Sequence, residues 1–378
     1  MNGERPNISA ESALVSKLLT WERTQTLDLG IDISMLNNRL SITADYFQRK
    51  SKDMVGPAPE LPGILGTKEP KINNLDMTSK GWEMQITWRD QIRDFRYGAT
   101  FSLSDNKVVI DKYPNPSNSI FDKDNNIWYY PGAVVGNIWG FQTAGIAKND
   151  QQMKDHLASL PNGGQNDLGS GWGAGDIMYK DLDGDGKISR GNKTLSDKGD
   201  LEVIGNSTPR YNFGLNLDAA WKGFDLRLFF QGTMKRDYMP SSESTMFWGA
   251  VGYWQTNYFK PHLDYFRGED TTNPLGANLN GYYPRLLEND RNRQSQTRYM
   301  QNAAYCRLKN VTLGYTLPTN MTRKFFVNNL RVFVSGENLF TITSLADTFD
   351  PETIGVGNWD GCTYPLSKTV SFGLSVTL

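Results

Sequence analysis

A two-residue alternation of apolar and polar side chains constrains this sequence more than any other feature. Leu27, Leu29, Ile31, Ile33 and Met35 alternate with Asp28, Gly30, Asp32 and Ser34. After Asn37 and Asn38 the pattern resumes as Leu40, Ile42, Ala44 and Tyr46 against Ser41, Thr43 and Asp45. In an extended chain this period puts all the apolar residues on one face, so the two runs read as a hairpin of strands with one apolar and one polar face. Trp82 to Trp88 and Phe95 to Leu103 form a second hairpin, and Tyr211 to Trp221 and Phe224 to Phe230, joined through Lys222-Gly223, form a third. Val311 to Leu317, Leu330 to Val334 and Val370 to Leu378 bring the expectation to nine strands.

The links between these strands alternate in length. Residues 36–39, 90–94 and 222–223 are short and 318–329 moderate, whereas the stretches after Val55, after Ile110, after Tyr238 and after Thr343 are long. In an up-and-down antiparallel sheet this collects every short turn at one end and every long loop at the other, the layout of an outer-membrane barrel. Trp88 with Phe95, and Trp221 with Phe224, stand where strands meet short turns, as an aromatic girdle at a membrane interface requires. A soluble sandwich could show the same alternation, with the aromatic residues closing one end of its core.

Composition excludes more than it identifies. With 40 Lys+Arg against 41 Asp+Glu there is no basic excess for a phosphate backbone, so nucleic acid is not an expected partner. His156 and His262 are the only histidines, too few for a histidine-based metal centre. Cys306 and Cys362 stand far apart and are expected to be free thiols. A mean hydropathy of -0.53, with no long apolar run, reads as soluble, yet alternating strands cross a membrane without such a run. Residues 1–20 carry no charged segment followed by an apolar one and a cleavage site, so the chain is expected to be unexported or the downstream part of a longer protein.

Several segments, in order and at matching spacing, resemble the C-terminal part of SusC/RagA-type, TonB-linked outer-membrane transporters of the Bacteroidetes. They are Leu19-Thr20-Trp21-Glu22 with Gln25 to Asp32, Asn38-Arg39-Leu40 to Tyr46, and Gly175-Asp176-Ile177 through Asp181 to Gly186. Ile204-Gly205-Asn206, Pro209-Arg210-Tyr211, Tyr305 to Pro318, Leu330 to Phe340, Phe349-Asp350-Pro351-Glu352 and the strand from Tyr364 to Leu378 complete the set. The resemblance implies an all-β, antiparallel, up-and-down transmembrane barrel of about 22 strands, of which this chain would be the last nine. Residues 1–19 would be a loop segment and 20–378 the barrel part, with extracellular loops at about 111–207 and 239–302. No counterpart of the family's signal peptide, TonB box or plug is expected in this chain, and its final residue, Leu378, replaces the usual aromatic. The resemblance further implies uptake of oligosaccharides or peptides without enzymatic activity, a SusD-like surface lipoprotein as partner, TonB reached through the plug, and outer-membrane lipid around the wall.

Local chemistry centres on Asp181-Leu182-Asp183-Gly184-Asp185-Gly186-Lys187-Ile188. Oxygen ligands at loop positions 1, 3 and 5, glycine at 6 and a carbonyl at 7 match an EF-hand calcium loop, making Asp181, Asp183, Asp185 and Lys187 candidate ligands. Position 12 is Asn192 rather than Glu, so a Ca²⁺ there would need help from Asp197, Asp200 or water. Without an ion the run is a tight solvated turn. Trp128, Tyr129, Trp139, Trp248, Trp254 and Tyr282 are candidate contacts for a glycan, peptide or partner, although long loops also need aromatic residues for packing. Arg285 and Arg298 are read as structural, and 148–160 as a short packing helix. The rival class is a soluble calcium-dependent carbohydrate-binding β-sandwich, in which Leu29, Ile31, Leu215, Leu217, Phe372 and Leu374 would pack against a second sheet. A glycosidase is disfavoured because no carboxylate pair is fixed by the sequence.

Overall fold

A computed structural model describes residue 16 and residues 19–56, 70–121, 129–249, 258–270, 272–354 and 363–378. Nine long strands form one antiparallel meander in chain order: β1 (Arg23–Met35), β2 (Leu40–Gly56), β3 (Ile72–Ile92), β4 (Phe95–Lys112), β5 (Arg210–Trp221), β6 (Phe224–Lys235), β7 (Tyr305–Thr316), β8 (Asn329–Glu337) and β9 (Thr369–Thr377). A three-residue strand, Thr341–Thr343, continues the pairing of β7 beyond the end of β8. The sheet is not closed, because β1 and β9 each pair on one side only.

The turns follow from their residues. Lys222 and Gly223 both have positive φ (46° and 93°), the backbone of a tight hairpin whose twist suits the strands it joins. Leu36, Asn37 and Asn38 make the first turn with three consecutive positive φ values, which the two asparagines tolerate well. All short links lie at one end of the sheet, and the long ones, 113–209, 236–304 and 338–368, lie at the other, as the alternation of link lengths requires. The strands are longer than the alternation alone suggests. β3 runs for 21 residues, roughly twice the 9–11 that a membrane crossing needs, so its upper half stands beyond the apolar band.

Register separates the faces cleanly. Ile86 pairs with Phe101, Phe101 with Leu215, Leu215 with Phe230, and further along the sheet Leu313 pairs with Val334 and Val334 with Phe372. These residues form an unbroken apolar face on which no second sheet lies among the described residues; the other sheets are two-stranded and belong to the loops. Leu29 is 62% exposed, Phe372 85% and Leu374 63%. A soluble protein does not leave a face of this size uncovered, so the sandwich is excluded and the face is the lipid side of a partial barrel. At the short-turn end Phe95, Trp221, Phe224 and Tyr315 stand directly opposite one another across four strands, with the last two rings 4.5 Å apart. Phe95, Trp221 and Phe224 stand in the expected girdle, whereas Trp88 lies deeper, opposite Ala99.

The opposite face is polar and internally bonded. Thr43 donates to Asp32 at 2.6 Å, Thr87 and Thr100 share a bond of 3.1 Å, and Arg331 grips Asp225 through two bonds of 2.9 and 2.5 Å. Glycines on this face leave room for large neighbours: Phe47 and Phe333 lie over Gly81 and Gly373, their direct partners, where a Cβ would collide with the ring.

Adjacent positions of β5 should therefore respond oppositely to charge. In the intact receptor, Leu217→Arg on the lipid face is expected to cost about 2–4 kcal/mol in a denaturant titration of the membrane-embedded protein, and Asn216→Arg on the polar face less than about 1 kcal/mol. Equal losses would contradict the assigned faces.

Candidate functional site

The core of the molecule lies in its loops, since a wall between lipid and lumen has no interior of its own. One buried apolar cluster collects Ile120, Trp139, Phe141 and Tyr179 from the loop after β4, Tyr238, Phe247, Trp248, Tyr283 and Tyr299 from the loop after β6, and Phe349 and Ile354 from the loop after β8. Leu75 and Ile110, at the tops of β3 and β4, root this cap on the sheet. Phe247 is completely buried and makes edge contacts with Trp248, Tyr282, Tyr283 and Tyr299 at centroid distances of 4.8–6.3 Å. The expected loop helix is present as Asp150–Ala158, capped by Asn149, which accepts a bond from the Gln152 N–H, and seated on the buried Met153.

A buried carboxylate joins the two largest loops. Asp176 has no exposed surface and accepts two bonds from Arg285 (2.7 and 2.6 Å), one from Asn292 (2.8 Å) and one from the Gly173 N–H (2.9 Å), with Arg291 at 3.1 Å. Arg298 donates to the carbonyls of Gly281 and Tyr282. Both arginines therefore serve as structural clamps. Asp176 lies inside the Gly175-Asp176-Ile177 motif, but nothing in the sequence shows that its partners sit about 110 residues away.

Of the candidate calcium ligands, Asp181 and Asp183 converge with Asp200, their carboxylate oxygens lying within 4.8 Å of one another. Asp181 accepts the N–H groups of Gly184 and Gly186, which closes the turn. Asp185 faces Lys187 instead, accepting its N–H at 3.0 Å with Nζ at 3.7 Å, and Asn192 donates to Asp197 at 2.6 Å. Asp200 thus stands where the loop lacks its closing glutamate. Its oxygens accept the N–H groups of Leu182 and Ser189 at 2.6 and 2.8 Å. Burial pushes its carboxyl above the ordinary range; those two N–H groups pull it back, and the neighbouring Asp183 and Asp181 push it further up. Three carboxylates so placed suit a hard divalent cation with oxygen ligands.

The aromatic candidates fall into different surroundings. Trp139 and Trp248 are buried, Tyr129 packs on Tyr113 at 5.6 Å, and Tyr282 is half-buried with its hydroxyl accepting from Gln301. Trp139 also lines a cleft of about 600 Å³ together with Phe141, Tyr238, Arg190 and Arg293. Trp128 and Trp254 lie outside the described residues, as does Cys362; Cys306 is a free thiol.

A lipid-facing meander with short turns at one end and a single packed cap of long loops at the other defines a segment of an outer-membrane β-barrel wall. The family described as TonB dependent receptor-like, beta-barrel matches residues 3–339, and the chain belongs to it. TonB-dependent receptor P3 of Formosa agariphila is 28% identical over 385 residues, covering 95% of this chain and 34% of that protein. SusC of Bacteroides thetaiotaomicron is 23% identical over 369 residues, covering 95% of this chain and 32% of its own length. A solved structure of the RagAB peptide transporter shares the fold with a TM-score of 0.69 at 24% identity, covering 95% of this chain and 36% of that one. The chain spans about a third of the length of the curated relatives it matches. Its place is the outer membrane, with the long loops extracellular and the short turns periplasmic.

Removing the charge of Asp176 should unlock the cap. Asp176→Asn leaves the buried Arg291, and the partly exposed Arg285, without their counter-ion and is expected to cost about 3 kcal/mol, read as faster hydrogen exchange or proteolysis of the loops. An unchanged cap would contradict the clamp.

Proposed function

We propose that this chain is the C-terminal wall and extracellular cap of a TonB-dependent nutrient importer that takes up oligosaccharides or peptides and is not an enzyme. The observation that carries the reading is the joining of three long loops into one packed cap on the extracellular end of the lipid-facing sheet. Such a cap presents a shaped surface above a polar lumen, with a cleft lined by the edge of its aromatic core at Trp139 and by Arg190 and Arg293. Likeness to a RagAB peptide transporter supports the peptide class, and the resemblance to SusC/RagA-type transporters adds oligosaccharides and a SusD-like surface lipoprotein, which would sit on the loops after β4 and β6. Energy would arrive from TonB through a plug domain of the whole receptor. Affinity capture of the intact receptor from outer membranes is expected to bring down a surface lipoprotein in equal amount, and deletion of the gene to abolish growth on one oligosaccharide or peptide source. A deletion strain that grows normally on all of them would contradict the reading.

Within the cap, Ca²⁺ stiffens the loop from Asp181 to Asp200, held by Asp181, Asp183 and Asp200 with carbonyls of the turn, Lys187 among them. The convergence of these three carboxylates supports this assignment. Calorimetry on the intact folded receptor should record heat on Ca²⁺ addition, abolished by Asp200→Asn. Silence on Ca²⁺ addition would contradict it.

A further inference from the structure

The lipid face changes character near its extracellular edge. On β2 and β3 the apolar band ends at an aromatic pair, Tyr46 directly opposite Trp82. The next residue of β3 on that face, Lys80, stands directly opposite Lys107 of β4, and Lys50 follows on β2, opposite Thr78. All three lysines are exposed, and among the described residues none forms an ion pair. Nearby carboxylates have other partners: Asp105 is gripped by Arg210, Asp53 by Arg23, and Asp111 accepts from Thr78.

Depth gives these lysines a meaning. From Ile92 at the periplasmic turn to Lys80, a rise of ~3.3 Å per residue and a tilt of ~45° put the ammonium groups roughly 28 Å above the turn. An outer-membrane barrel carries an apolar band about 25 Å tall, so the lysines sit at the level of the outer headgroups. Like charges directly opposite on a sheet repel one another, and a row of them is stabilised by an anion between them. Continuity with the lipid-facing band selects that anion.

We propose that Lys80, Lys107 and Lys50 form a seat for the phosphate of an anionic outer-leaflet lipid, whose acyl chains lie down the wall over Tyr46, Trp82 and the apolar band beneath. The lysine stems run along the wall and their ammonium groups reach the phosphate level.

The test uses the intact receptor in nanodiscs of phosphatidylcholine alone or with phosphatidylglycerol, and native mass spectrometry to count retained phosphatidylglycerol. At about fivefold per surface lysine, the double variant Lys80→Gln/Lys107→Gln should lose retention about 25-fold, while Lys80→Arg/Lys107→Arg keeps it. Melting temperature gives a second reading that does not need the count. The glutamine pair should be neutral or stabilising in phosphatidylcholine, where only repulsion is removed, and destabilising once phosphatidylglycerol is present. Retention unchanged in the glutamine pair would overturn the proposal. An equal loss from Lys222→Gln at the periplasmic turn would overturn it too, by showing bulk charge rather than a seat. Displacement of the lipid by millimolar inorganic phosphate, or by an acidic protein that binds only when these lysines are present, would assign the site to another anion.

Discussion

In hydrocarbon a peptide group has no partner except another peptide group, and the whole architecture depends on that constraint. The meander answers it strand by strand: β2 to β8 pair on both sides, along residues that present Leu, Ile, Phe and Val outward. β1 and β9 keep one open edge each, which lipid does not tolerate, so the nine strands are part of a larger closed wall. Consecutive antiparallel pairing also explains why the connections alternate between tight turns and loops of up to about a hundred residues. Two periplasmic links are tight turns, and the longest of them, between β7 and β8, holds only a short helical turn at Thr319–Thr322 and Arg323–Phe325. The large loops gather at the other end.

That division separates two kinds of stability. The wall gains from backbone pairing and from lipid against its apolar band. The cap stands in water and must bury its own core, which it does with Phe247, Tyr299, Trp248 and their neighbours from three loops. Buried charged residues join these loops. Asp176 ties the loop after β4 to the loop after β6, and Arg307 ties β7 to Asp350 and Glu352 in the loop after β8. A surface built in this way holds its shape above the polar face of the sheet.

The wall was legible in the sequence because one physical rule governs it residue by residue. Leu215 and Leu217 face lipid while Asn216 and Asp218 face the lumen, so period two survives along the crossing segment. Above the bilayer neither face needs to be apolar, and Thr78, Lys80 and Lys107 break the alternation without breaking the strand, so there the ends of β2 and β4 were marked by the long links after Val55 and Ile110 and not by the period. In the cap no period applies. Trp139 and Trp248 have the composition expected of either ligand contacts or core, and only the fold shows both of them buried. The closeness of Asp181 and Asp183 was legible from spacing, whereas the approach of Asp200 to them depends on the N–H groups of Leu182 and Ser189, whose bonds hold its carboxylate inward.

The central claim is that adjacent residues of these strands face lipid and water in turn. Single cysteines placed along β5 at 215, 216, 217 and 218, in the intact receptor with its native cysteines replaced, test it most directly. Labelled in outer membranes with a membrane-impermeant thiol reagent and probed with a lipid-dissolved quencher, 216 and 218 should react with the first, and 215 and 217 should respond to the second. A pattern with no alternation, or with all four positions shielded from both probes, would contradict the account.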